Sequence, residues 1–181
     1  MKPTSEAELA DAIRASAAKG TKLHIRGGGT RAGFGHGVTG QLVDTTGLKG
    51  VALYEPGALT IVAAVGTPLE TIEKTLAKEG QRLPFEPMDH RALSGTHGKS
   101  TIGGVVAANV SGPRRIQAGA CRDSLIGVRF VDGEGTVIKN GGRVMKNVTG
   151  YDLVKLMAGS HGTLGVLSEV AFKVLPMPEA G

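Results

Sequence analysis

Tryptophan is absent from this chain of 181 residues, and four Phe and two Tyr are its only aromatics. Base-stacking surfaces for nucleic acid need aromatic platforms, so nucleic acid is not an expected partner. Cys121 is the single cysteine, which excludes an internal disulfide. It also leaves too few thiolates for an iron–sulfur cluster or a structural zinc site. No nucleophilic triad is evident around it, so it reads as a small buried or interface residue. The histidines (His24, His36, His90, His97 and His161) include no i, i+4 pair and no companion carboxylate cluster, so no metal site is expected. His24, in a strand, reads as structural, whereas His90 and His97 lie in an irregular stretch that a ligand can reach. No apolar run approaches the ~20 residues of a membrane-spanning helix. Residues 1–15 are charged and lack an apolar h-region, unlike a signal peptide. The expected setting is the cytoplasm, or the cytoplasmic face of a membrane complex reached through partners, without membrane insertion.

Glycine is what the chain has in excess: 29 residues, about twice the usual share of ~7%. The glycines do not repeat periodically; they cluster in loops between apolar segments. One loop reads Arg26-Gly27-Gly28-Gly29-Thr30-Arg31-Ala32-Gly33-Phe34-Gly35, and a second Thr101-Ile102-Gly103-Gly104. Successive bare amides of this kind form concavities that hold phosphates. Two such loops suit a ligand long enough to need both, such as a dinucleotide. The net charge of +5 is compatible with an anionic ligand. A third glycine-bearing loop, Gly159-Ser160-His161-Gly162-Thr163-Leu164-Gly165-Val166, adds a candidate wall.

Two familiar nucleotide motifs fail on spacing. Gly33-x-Gly35-x-Gly37 lacks the G-x-G-x-x-G pattern, a long following helix and the acidic residue some 20 positions on. Gly95 and Gly98 stand two residues apart where a P-loop needs four. Asn109-Val110-Ser111 and Asn147-Val148-Thr149 match the glycosylation sequon, and without a secretory signal they read as chance matches.

Hydrophobic period and punctuation predict an α+β chain. A helix starts at Thr4-Ser5 and carries Leu9, Ile13 and Ala17 to Lys19-Gly20. Strands follow at Lys22–Arg26, Gln41–Asp44, Val51–Tyr54 and Thr60–Val65. A second helix begins at Thr67-Pro68, buries Leu69, Ile72 and Leu76, and stops at Gly80. Gln81 to Ser100 is irregular and marks the expected boundary between subdomains of about 1–82 and 83–178. A small-residue helix runs from Gly103 to Asn109. Leu125–Asp132 and Thr136–Lys139 form a hairpin around Asp132-Gly133-Glu134-Gly135. A short helix over Tyr151–Met157 and a long strand over Gly165–Leu175 complete the pattern.

The ordered set Arg-Gly-Gly-Gly-Thr, Leu83-Pro84-x-x-Pro87, Thr-Ile-Gly-Gly, Ser111-Gly112-Pro113-Arg114-Arg115, Lys146-Asn147-Val148-Thr149-Gly150-Tyr151-Asp152-Leu153 and Gly-Ser-x-Gly-Thr-Leu-Gly-Val resembles the FAD-binding domain of the vanillyl-alcohol oxidase/p-cresol methylhydroxylase family. Ser-Gly-Pro-Arg-Arg and Val144-Met145-Lys146-Asn147 are similar to the flavin subunits of glycolate oxidases. The resemblance covers essentially the whole chain. It implies two α+β subdomains with FAD between them. Gly27, Gly28, Gly29 and Thr30 would then donate amides to the pyrophosphate, with Arg26 shaping the loop. Pro87 and Thr101, Ile102, Gly103 and Gly104 would line the opposite side. Gly159, Gly162, Thr163 and Val166 would hold the ribityl or adenine part. Thr30 stands where covalently flavinylated members carry His, which implies non-covalent FAD. Family enzymes continue into a substrate-binding cap, and Gly181 is where a cap would begin, so a chain without the cap is expected.

The function implied is the flavin part of a 2-hydroxy-acid oxidase or dehydrogenase of glycolate type, acting with a second flavoprotein subunit and an iron–sulfur subunit. No catalytic residue is assigned. The alternative is a flavin module without chemistry of its own, acting only within a larger complex. A surface left open by a missing cap would favour a homodimer.

Overall fold

A computed structural model describes residues 1–37, 39–142 and 150–179. In chain order its elements are α1 (Glu6–Ala18), β1 (Leu23–Arg26), β2 (Gln41–Asp44), β3 (Val51–Glu55), β4 (Thr60–Ala64), α2 (Leu69–Ala77), β5 (Gln81–Arg82) and α3 (Arg91–Ser94). They continue with α4 (Ile102–Ala107), α5 (Arg115–Ala118), α6 (Cys121–Ser124), β6 (Leu125–Val131), β7 (Val137–Gly141), α7 (Leu153–Met157), β8 (Val166–Lys173) and β9 (Leu175–Pro176). The expected α+β class holds. The described residues contain no cap domain.

Local chemistry sets the first helix. The Ser5 hydroxyl accepts from the Glu8 N–H (3.2 Å) while the Glu8 carboxylate accepts from the Thr4 N–H (2.8 Å), so two amides at the helix entry are satisfied by side chains. Leu9, Ala10 and Ile13 form its buried stripe. After it, β1 and β2 pair in parallel, Leu23 beside Gln41 through Arg26 beside Asp44. A parallel pair cannot close with a tight hairpin, and the connection between them is the first glycine-rich loop.

The large sheet has the order β3-β4-β8-β6-β7 and is antiparallel throughout. At its centre β8 buries Val166, Leu167, Ser168, Val170, Ala171 and Phe172, on both faces of the sheet. The division expected near residue 82 runs through this sheet: β3 and β4 precede it, and β6, β7 and β8 follow it. A smaller pair, β5 with β9, ties Gln81–Arg82 to the last strand. Arg129 Nε donates to the Glu6 carboxylate (3.0 Å) and the Ser168 hydroxyl donates to the same oxygen (2.6 Å), fixing the start of α1 on the sheet.

The core continues under α4, where Ile102, Val105 and Val106 are fully buried. A Cβ on Gly103 would come within 2.6 Å of the Val65 Cβ, so only glycine lets this helix sit so close to the end of β4. Phe85 and Phe172 stack at 5.5 Å between ring centroids and anchor the segment after β5. Cys121 is buried, and desolvation pushes its thiol pKa up; it is a packing residue, as expected.

Candidate functional site

The element ends converge on one cavity of about 850 Å³, toward the large end of the ~300–1,000 Å³ usual for ligand and cofactor sites. Its walls are the end of β1 with the loop to residue 37, the small-residue face of α4, and the turn leading into β8.

The first loop is held from behind by the chain itself. A Cβ on Gly28 would overlap the Lys99 carbonyl oxygen, and one on Gly98 would overlap the Gly28 carbonyl oxygen. The Thr96 hydroxyl donates to the Thr30 carbonyl (3.0 Å), and Thr45 donates to that of Arg26 (3.3 Å). Gly29 turns the chain at φ +72°, a conformation costly for residues with a Cβ. Among the described residues, the N–H groups of Gly27, Gly28, Gly29 and Thr30 donate to no protein acceptor. Four consecutive unspent donors on a cavity wall form the kind of concavity that binds anions.

The facing wall is sewn in place. Ile102 N–H donates to Thr67 (3.0 Å), Gly103 N–H to Val65 (2.8 Å) and Leu69 N–H to Ser100 (2.8 Å). Thr101, only 3% exposed, carries a buried hydroxyl with no partner among the described residues, as does Ser160 on the third wall. Arg31 reaches across the mouth. Its Nε donates to His90 Nδ1 (3.2 Å), whose ring meets Phe34 edge-on at 5.3 Å. Burial lowers the Arg31 pKa, with the Asp89 charge opposing that shift. No carboxylate lines the cavity among the described residues. Unspent amides, buried hydroxyls and a cation suit the phosphates and sugar hydroxyls of a dinucleotide, with apolar Ile25, Val65, Ala107, Ala108 and Leu167 for its rings.

The profile of the FAD binding domain family matches residues 1–141. The chain belongs to that family. It is 47% identical to the glycolate oxidase subunit GlcE of Escherichia coli over 160 residues, 88% of this chain and 44% of that protein. It is 38% identical to the glycolate oxidase subunit GlcD of Bacillus subtilis over 66% of this chain and 24% of that protein. A D-lactate dehydrogenase of Anaerostipes hadrus is 29% identical over 88% of this chain and 33% of its own length. The chain therefore spans less than half the length of these curated relatives. FAD is the cofactor of this domain, and the orphaned donors fit it.

Within this FAD-binding domain, the cavity brings together Arg26, Gly27, Gly28, Gly29, Thr30, Thr101, Gly103, Gly104, Gly162, Thr163 and Val166 from the expected set. Three expected residues stand elsewhere. Ile102 is wholly buried in the core and its N–H is already spent on Thr67. Gly159 lies off the wall, its N–H tied to the Val106 carbonyl (3.0 Å). Pro87 also lies off the wall, in the segment that the Gly112 N–H anchors at the Phe85 carbonyl (2.9 Å). His24, read as structural, lines the cavity. Arg31 and Ser160 also line the cavity, outside the expected set, although a cation directly after the glycine run was a visible signal. Val144, Met145, Lys146 and Asn147, with the sequon at Asn147, lie outside the described residues.

Among the described residues there is no group of three or more metal-ligating side chains, and no helix is long and apolar enough to cross a membrane.

Proposed function

We propose that this chain is the FAD-holding part of a 2-hydroxy-acid oxidase or dehydrogenase of glycolate type, with FAD bound non-covalently between the first glycine loop and α4. The observation that carries the reading is the row of unspent amides from Gly27 to Thr30 on the cavity wall, with the unpartnered Thr101 hydroxyl packed beside Gly27. Likeness to the two glycolate oxidase subunits supports the substrate class. Bound FAD supplies hydride acceptance; the protein supplies binding, orientation and electrostatics. In this reading Gly27, Gly28, Gly29 and Thr30 donate amides to the diphosphate, and Gly104 backs the same region. Gly162, Thr163 and Val166 hold the sugar side, with Arg26 at the exposed rim. Thr30, nearly fully buried, offers no imidazole for a covalent tether. The protein works in the cytoplasm with a second flavoprotein subunit and an iron–sulfur subunit, since the chain has one cysteine and that is buried.

A visible spectrum taken before and after acid precipitation tests the cofactor. Flavin bands moving into the supernatant are expected, and flavin kept in the pellet would refute non-covalent binding. Anaerobic glycolate or D-lactate added to the chain with its partner subunits is expected to bleach the flavin. Bleaching by neither acid would refute the substrate class.

A further inference from the structure

Arg31 is a half-buried cation that forms no salt bridge among the described residues. Its Nη2 is buried and unpartnered among the described residues. The nearest acid on its side, Asp89, is engaged by Arg91 through Nε (3.0 Å) and Nη2 (2.7 Å), which holds the Asp89 carboxyl down to about 2. An unpaired guanidinium removed from water is costly unless an anion meets it. The neighbouring Arg26, in contrast, is exposed and needs no such partner.

Position says which anion. Arg31 follows Thr30, the last residue of the unspent amide row. A Cβ placed on Gly104 would stand 3.5 Å from the Thr101 hydroxyl and 3.6 Å from Arg31 Nη1, so hydroxyl and guanidinium flank the same point on α4. The bond from Nε to His90 holds the base of the fork, and neither Nη1, beside Gly104, nor Nη2 has a protein acceptor among the described residues. We propose that Arg31 is a side-chain clamp on the diphosphate of FAD, its guanidinium reaching the nest from the α4 side, next to the Thr101 hydroxyl. The inference rests on the flavin reading above. A guanidinium suits this role because its planar donors meet two phosphate oxygens at once.

The test uses the flavin-stripped chain as wild type, Arg31→Met and Arg31→Lys, titrated with FAD, ADP and riboflavin and melted without ligand. Arg31→Met is expected to weaken FAD and ADP binding about ten- to a hundredfold, to leave riboflavin within about twofold, and to melt no lower than wild type. Arg31→Lys keeps the charge without the fork and should recover part of the loss. Unchanged FAD and ADP affinity in Arg31→Met would overturn the clamp. So would a parallel loss of riboflavin, or a lowered melting point without ligand, either of which makes Arg31 a structural pin through His90. A substrate carboxylate is the other anion such a group could meet. If Arg31→Met keeps FAD and ADP but the flavin-loaded chain no longer shows the wild-type spectral response to glycolate, Arg31 serves the substrate and the clamp is wrong. A wild-type chain that binds ADP but neither FAD nor riboflavin would refute the flavin reading itself, separately from these arms.

Discussion

Two glycine runs lie side by side between β1 and β2, and they are glycine for different reasons. At Gly27 and Gly28 the space a side chain would take is already filled, by the Thr101 hydroxyl and by the Lys99 carbonyl. At Gly33 and Gly37 a Cβ would meet nothing within 4 Å. The first run is a packing surface: two stretches of backbone touch, and that contact fixes where the unspent amides stand. The second borders open space at the cavity mouth. Composition alone treats both runs as ligand-approach points. In the structure the run that carries the unspent amides is the one whose side-chain positions face protein.

The strongest way to break this comparison is Gly28→Ala. Its Cβ would overlap backbone, which cannot move aside like a flexible side chain, so either the loop or the 96–101 strap must shift. Overpacking of this sort costs about 1–3 kcal/mol, and roughly 2–4 °C of Tm per kcal/mol in a chain of this size. Flavin content after purification should fall with it, because the amides move. Gly98→Ala attacks the same contact from the other side and should reproduce both effects. Normal flavin content in both variants would mean that the contact does not position the loop.

Much of this is legible in the sequence. The alternating strands, the Ser5 cap and the stripe of Leu69, Ile72 and Leu76 are local signals, and each element appeared where its period and punctuation put it. The glycine loops announced the site because so many glycines outside a repeat need a reason. The partition of the sheet was not legible, because β4 pairs with β8 across about a hundred residues of chain and no local pattern encodes that partner. Ile102 parts from its motif neighbours for a related reason: they line the cavity, while a step of one residue along the chain turns its side chain into the core. Single-turn α3, α5 and α6 and two-residue β5 and β9 are too short to carry a period.

Thr101→Val sharpens the comparison at the facing wall. Without ligand the change removes a buried hydroxyl that has no partner, so the melting point should hold or rise, within about 1 kcal/mol. With FAD the same hydroxyl is expected to be used, and affinity should drop about three- to tenfold. Opposite signs in one variant distinguish a ligand contact from a structural one. A loss of stability in the unliganded chain would make Thr101 a helix-start residue and nothing more.

Far from the loops, Glu6→Gln provides the contrast of a contact that serves the fold alone. The hydrogen bond from Arg129 is the main cause holding the Glu6 carboxyl below its ordinary 4.5, with partial burial opposing and the Ser168 hydroxyl helping. A depressed carboxyl contributes stability above its unfolded value and loses it as pH falls through the folded one. Wild type should therefore lead Glu6→Gln by about 1 kcal/mol at pH 7, and melting curves should converge below pH 4.5. FAD affinity at pH 7 should be the same in both. A gap that persists at low pH would mean that the contact is not ionic.

Gly33→Ala is expected to do the least, and that is its use. With no neighbour within 4 Å and no positive φ, the added methyl should change stability by less than about 0.5 kcal/mol and FAD affinity by less than about twofold. Paired with Gly28→Ala, it asks whether glycine density or glycine placement builds the site. If Gly33→Ala keeps its melting point yet loses FAD, the space above Gly33 is taken by the cofactor rather than by solvent. Both runs would then be ligand-bearing, one through its backbone position and the other through its missing side chain.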